Sequence, residues 1–213
     1  MKLVLFGATG HIGHAILEEA LARGHDVTAV VRDSSRVKQQ HEKLHVVTGT
    51  VEESAIWLAY AKYADAVIAS LSARRSGNYD EVPSTAQKLL ETLDGSNVKR
   101  LLWVGGAASL EVAPGVKVID DPHFPEAWKP EALAQARALE VFRASKADVD
   151  WTYISPAVLI EDGERTGQYR IGGDKLLKDD KGVSRITVPD YAIALLDRLE
   201  KGDALRQRIT VAY

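Results

Sequence analysis

An α/β fold is what this sequence predicts, with a doubly wound parallel sheet, helices on both faces and a small C-terminal cap region. Three observations carry that expectation. Short apolar runs alternate with helix-like segments through the first two-thirds of the chain. The apolar continuity of most of these runs fits strands buried on both faces. The first run ends in a glycine-rich turn, "FGATGHIG" at 6–13, which opens directly into a helix.

The strand candidates, in order, are "KLVLFGA", "DVTAVV", "LHVVT", "DAVIASL", "RLLWVGG" and "VDWTYIS". Each is short, rich in Val, Ile, Leu, Tyr or Trp, and bounded by glycine or polar residues. Between them lie the helix candidates "HAILEEALARG", "EESAIWLAYAKY", "PSTAQKLLETLD" and "PEALAQARALEVFRASK". In the first helix Ile16, Leu17, Ala20 and Leu21 share a face, with Gly24 placed as the C-cap. Glu18 and Glu19 read as that helix's solvated side. Pro130 suits the first turn of the fourth helix. Trp57, Trp103 and Trp151 fall inside apolar runs and read as core. From about residue 157 the rhythm breaks into a polar, Gly-rich stretch, followed by a helix, "PDYAIALLDRLE", and a last strand, "QRITVAY". The expectation is one domain over 1–213, with about 157–187 a loop-rich cap on the substrate side.

The 213 residues are enough for one sizeable core and short for two. Hydrophobic residues make up 46% and charged residues 27%, the balance of a soluble globular protein. A net charge of −3 gives no electrostatic reason for nucleic acid or an anionic membrane as a partner. The chain has no cysteine, which excludes disulfides, thiolate metal sites and cysteine nucleophiles and suits the cytoplasm. "MKLVLF" is followed at once by the glycine turn, too early for the apolar segment of a secretion signal. The expected protein is cytoplasmic, a monomer or homodimer, and acts on a small molecule.

In open parallel sheets ligands bind beyond the carboxyl ends of the strands. Gly7 there would permit the sharp bend, Gly10 the approach of a pyrophosphate, and Gly13 the close packing of the helix. The helix amides from Gly10 to Ile12 would face the phosphates. A glycine turn without ligand gives the same pattern, but the strand–turn–helix–strand order favours a phosphate cradle. Arg32 ends the second strand, where an acid would bind the ribose hydroxyls of NAD. Arginine there can pair with a 2′-phosphate, with Ser34, Ser35 and Arg36 close by, so NADP(H) is preferred over NAD(H).

"LFGATGHIG", "RGHDVTAVVRD", "LLWVGGAASL", "VDWTYISPAVL" and "ITVPDYAIALLDRLE" together resemble the NmrA-like, atypical short-chain dehydrogenase/reductase family, in particular its small bacterial candidate NADH-flavin reductases. The resemblance covers nearly the whole chain. It implies a Rossmann fold and NADP(H), with Gly7, Thr9, Gly10, His11, Ile12 and Arg32 in cofactor contact. It also implies that Thr50, Val51, Ser70, Leu71, Gly105, Gly106 and Ala107 line the cofactor channel. One departure is "TGTVEE", where Thr50 stands in place of the Asp that many relatives carry near the adenine.

Catalytic members of the wider superfamily use a Tyr and a Lys spaced i,i+4 on one helical face. None of the seven tyrosines here has a lysine four residues later, and the two slots fall on Ala132 and Ala136. Tyrosine-driven alcohol or sugar-nucleotide chemistry is therefore not expected, and an epimerase reading fails. Hydride transfer to a flavin or quinone gives a delocalised anion that water can protonate, so it needs no protein acid. Ser109 could hydrogen-bond such an acceptor or simply cap a loop. His123 could donate a proton or be a solvated loop residue, with Phe124 and Trp128 as pocket walls. Arg165 and Tyr169 could cover the acceptor or be tied down by ion pairs. His11 and His14 have a metal-like spacing but no third ligand, so no metal site is expected. The expected function is an NADPH-dependent oxidoreductase that reduces a flavin, quinone or similar acceptor by hydride transfer, a flavin being a substrate and not a prosthetic group. The alternative is a non-catalytic NADP(H)-binding redox sensor of the NmrA type.

Overall fold

The computed structural model describes all of residues 1–213, and each predicted run becomes a strand. Strand β1 (Lys2–Phe6) passes through the glycine turn into helix α1 (His11–Ala22), and β2 (Asp26–Val31) returns beside β1. Then come β3 (Leu44–Thr48), α2 (Ser54–Ala61), β4 (Ala66–Ala69), α3 (Glu81–Leu93) and β5 (Arg100–Val104). A hairpin of β6 (Glu111–Ala113) and β7 (Val116–Lys117) precedes α4 (Lys129–Ala144) and β8 (Asp150–Ser155). The remainder holds β9 (Leu159–Glu161), β10 (Arg170–Gly172), β11 (Arg185–Thr187), α5 (Val188–Lys201) and β12 (Gln207–Ala212). None of these helices is long and apolar enough to cross a membrane.

The main sheet has eight strands in the order β10-β12-β8-β5-β4-β1-β2-β3, all parallel except β10 against β12. The chain winds outward from β1 through β2 and β3, then crosses to β4 and winds the other way. That reversal opens a crevice above the carboxyl ends of β1 and β4. The period-two alternation of β1 sends Leu3 and Leu5 to the layer of α1 and α5, and Val4 and Phe6 to that of α2, α3 and α4. Trp57 is wholly buried with its ring edge-on to Phe6, centroids 5.3 Å apart. Burial of a side chain that large contributes roughly 2–3 kcal/mol. Its indole N–H donates to the Val51 carbonyl at 3.0 Å, fixing the turn beyond β3. Trp103 and Trp151 are buried in the same layer, as expected.

Two sequence expectations for α1 are corrected. The helix cap is Arg23, with Gly24 one residue beyond it at φ +80°. Glu19 is not solvated; it is buried, because the 162–169 segment crosses over the helix and covers it. Arg165 grips its carboxylate with two hydrogen bonds of 2.9 Å, and Arg23 Nε adds a third at 2.8 Å. Arg23 continues to Asp197 and Glu200 on α5 at 2.8 and 2.9 Å. A second buried carboxylate, Asp190, fastens the same segment. It accepts from Thr166 N and Oγ1 at 2.9 and 2.5 Å, from Gly167 N at 2.8 Å and from the Tyr213 hydroxyl at 2.6 Å. A polar, Gly-rich segment with few apolar anchors is thus held by charge-assisted hydrogen bonds.

Burial by itself would raise the Asp190 pKa, but the donors from Thr166, Tyr213 and Gly167 outweigh it and hold the group below the ordinary carboxylate range. The Arg165 hydrogen bond, against the opposing effect of burial, does the same for Glu19. Carboxylates depressed in the folded state stabilise it above their unfolded pKa of about 4, and that stability is lost as pH falls through the folded values. Asp190→Ala is accordingly expected to lower stability by about 2–4 kcal/mol at neutral pH. Urea melts from pH 7 to pH 3 should show the wild type converging on the variant at the acid end. A constant gap between them would show that the Asp190 charge contributes nothing.

Candidate functional site

The crevice above β1 and β4 is built on backbone contacts. Gly7 has φ +84°, and a methyl group there would lie 1.9 Å from the Ser70 carbonyl oxygen. A methyl on Gly13 would lie 2.0 Å from the Gly7 carbonyl oxygen. Strand, turn and helix therefore approach each other at distances only glycine permits. Helix α1 starts at Gly10 with no side-chain cap and no acid in its first turn. The amides of His11, Ile12 and Gly13 have no acceptor within the protein. Unpaired amides at the positive end of a helix suit an anionic group such as a pyrophosphate.

Two confluent cavities flank this turn. The first, about 790 Å³, is lined by Gly7, Thr9, Gly10 and His11, by Arg32, Asp33 and Arg36 beyond β2, and by Thr50, Val51 and Glu52 beyond β3. The segment after β4 closes it with Ser70, Leu71 and the pair Arg74 and Arg75. Four arginines thus face one cavity, and none of them is ion-paired. Asp33, the acid nearest Arg32 in sequence, is folded back onto Ser35, accepting from its amide at 3.0 Å and its hydroxyl at 2.7 Å. Those bonds, the hydroxyl foremost, hold its pKa below the usual value. Thr50 is tied to Glu53, donating from its amide and hydroxyl at 2.9 and 3.1 Å, which leaves Glu52 as the acid lining the cavity beyond β3.

The second cavity, about 470 Å³, shares Gly10, His11, Ser70, Leu71, Ser72 and Arg74 with the first. Ile12 and the turn after β5, with Gly105, Gly106 and Ala107, form one wall, and Pro156 and Ala157 after β8 form another. Phe124, Pro125 and the half-exposed Trp128 make an aromatic rim. A methyl on Gly105 would strike the Tyr153 ring at 2.1 Å. The Tyr153 hydroxyl accepts from Gly106 N at 3.1 Å and donates to the Gln135 carbonyl at 2.9 Å. Burial pushes this phenol far up, so it braces the turn and keeps its proton.

Helix α4 supplies the cavity's remaining wall. Of the two vacated dyad slots, Ala132 lines the cavity and Ala136 does not. The polar side chains on that face are Glu131 and Gln135, one turn apart, which the sequence reading overlooked. The missed signal was legible: both sit on the stripe of Ala134, Ala138, Leu139 and Phe142 that the helix buries. Gln135 takes a hydrogen bond from Trp103 Nε1 at 3.0 Å and donates to the Leu71 carbonyl at 3.1 Å and to Glu131 at 3.2 Å.

All thirteen residues assigned to cofactor contact from the sequence line one cavity or the other, and Trp128 joins them. The remaining candidates lie elsewhere. Ser109 is buried and contacts Arg208 at 3.3 Å, while His123 is exposed beside Asp121 at 3.3 Å. Arg165 is bound to Glu19 and Tyr169 to Asp197, so both fasten the cap segment and line neither cavity. His11 reaches the cap at Asp162, 3.1 Å away, and His14 faces Glu18.

Residues 7–198 match the NAD(P)H-binding family. The chain is 36% identical to YwnB of Bacillus subtilis across 99% of its own length and 98% of that protein's. A candidate NADH-flavin reductase from Streptococcus pneumoniae superposes with TM-score 0.89 at 37% identity, covering 100% of this chain and 99% of that one. A candidate epimerase from Bacteroides thetaiotaomicron superposes with TM-score 0.90 at 38% identity, covering 100% and 96%. The glycine cradle, the doubly wound sheet and a match running through nearly the whole sequence agree, and the chain belongs to the NAD(P)H-binding family.

Proposed function

We propose that this protein is an NADPH-dependent reductase that passes hydride to a flavin, a quinone or a similar flat, electron-poor acceptor. One observation carries the reading: a cavity lined by four unpaired arginines adjoins, through six shared residues, an aromatic-rimmed cavity with no Tyr–Lys dyad. Of the two activities named among the relatives, epimerisation has no tyrosine at Ala132 and no lysine at Ala136 to support it. A hydride acceptor that yields a delocalised anion needs neither.

Bound NADPH would supply the hydride. The chain's own contribution is placement. Arg32 and Arg36 would take the 2′-phosphate, for which Asp33 is not free to compete, being occupied with Ser35. The α1 amides and Arg74, which lines both cavities, would hold the pyrophosphate. The wall of Gly105, Gly106 and Ala107 would support the nicotinamide end. Phe124 and Trp128 would stack against a planar acceptor and exclude water from one side. The half-open rim suits an acceptor that enters and leaves as a substrate.

Two measurements test this reading. Arg32→Glu is expected to weaken NADPH binding by about 10–100-fold, the loss of a charge-assisted phosphate contact and its replacement by repulsion. NADH binding should move far less. Equal affinity of the wild type for NADH and NADPH would sink the assignment of Arg32 to a 2′-phosphate. In steady state, NADPH oxidation should saturate with FMN, FAD or a quinone, and Trp128→Ala should raise the acceptor KM about 3–10-fold with NADPH affinity unchanged. Tight dinucleotide binding with no turnover across that panel would point instead to a redox sensor.

A further inference from the structure

Glu131 is the one acid lining the second cavity, and it is buried. Its two carboxylate oxygens accept separate hydrogen bonds, one from Gln135 Nε2 at 3.2 Å and one from the Ala73 amide at 3.2 Å. Gln135 cannot turn its amide round, because its oxygen is held by Trp103 Nε1 and its nitrogen also serves the Leu71 carbonyl. Both donors are therefore fixed toward Glu131, and they satisfy a carboxylate. No lysine, arginine or histidine pairs with it, although Arg74 and His11 line the same cavity. A buried anion without a cation is costly, and proteins seldom keep one where a neutral side chain would fit. The counter-charge is missing from the protein itself.

We propose that Glu131 is the electrostatic partner of the oxidised nicotinamide ring, so that the site favours NADP⁺ over NADPH and assists departure of the hydride. The inference rests on the reading above only in placing the nicotinamide end in the second cavity. As the C4–H bond breaks and its electron pair leaves with the hydrogen for the acceptor, the ring passes from neutral to a delocalised cation. A fixed carboxylate in a water-poor wall stabilises that charge as it forms and acts little on the neutral reduced ring. Glu131 gives up no proton in this scheme. Gln135, locked between Trp103 and Leu71, is the positioning residue that aims the carboxylate.

Binding reads the effect without turnover. Titrations of the wild type and Glu131→Gln with NADP⁺ and with NADPH should show NADP⁺ weakened by about tenfold in the variant, as expected for loss of one charge from the cavity wall, and NADPH within about twofold. Equal losses for the two forms would overturn the proposal and leave Glu131 as a brace for the Ala73 turn. So would no change for either. Should the Gln variant fail to fold, Glu131→Asp carries the same test by drawing the charge back one methylene. NADP⁺ discrimination should then fall in the same direction by a smaller factor, and unchanged discrimination overturns the proposal. Failure of every acceptor to oxidise NADPH would remove the reductase reading and leave this difference in binding intact.

Discussion

The whole architecture depends on one backbone contact: the Gly7 turn lies against the Ser70 carbonyl on one side and carries Gly13 on the other. The order β3-β2-β1-β4-β5 puts β1 and β4 side by side at the point where the winding reverses. Their pairing, Phe6 with Ala69, brings the two following turns to the same height. A Cβ at Gly7 or Gly13 would push strand, turn and helix apart by more than an ångström, and the unpaired amides of α1 would lose their aim. The cradle is thus a consequence of sheet topology made tight by residue size, and both cavities open from it.

A second constraint governs the part of the chain that has little hydrophobic means of staying put. The segment after β8 is polar and rich in glycine, and it is pinned at Glu19 by Arg165 and at Asp190 by Thr166, Gly167 and Tyr213. Both anchors join sequence-distant elements and tie the cap segment to α1 and α5. Arg165 and Tyr169 line neither cavity, Arg165 being bound to Glu19 on α1 and Tyr169 to Asp197 on α5.

Most of the fold was legible in the sequence because its signals are local. Apolar runs, a glycine spacing and a 3.6-residue stripe each report on neighbours a few positions away. The lining of the two cavities was legible for a related reason, since the residues immediately after each strand gather at the carboxyl edge of such sheets. What could not be read depended on contacts between distant segments. Nothing near Glu19 in sequence announces that Arg165 will cover it. Ser109 and His123 carry suitable chemistry, but the paths of the 105–128 turns decide that one is buried under Arg208 and the other left in solvent. Glu131 and Gln135 are a different case. They are two polar residues on a buried helical stripe, each one position before the alanines at the dyad slots, and their 3.6-residue spacing with Ala134, Ala138 and Phe142 marks them in the sequence.

The distribution of charge along the groove follows from the same geometry. Arg32 and Arg36 beyond β2 and Arg74 and Arg75 beyond β4 line the first cavity without ion-pair partners, together with Asp33, Glu52 and Glu81. The second cavity has one carboxylate, Glu131, and shares Arg74 and His11 with the first. On the proposed reading, a 2′-phosphate would meet Arg32 and Arg36 and the nicotinamide would meet Glu131, and the reversed pose would place phosphate beside that carboxylate. Shape alone would not impose that polarity, since the two cavities are joined and both are partly open. On that reading, a site without the superfamily's Tyr–Lys pair would still act electrostatically on the dinucleotide and ask little of the acceptor.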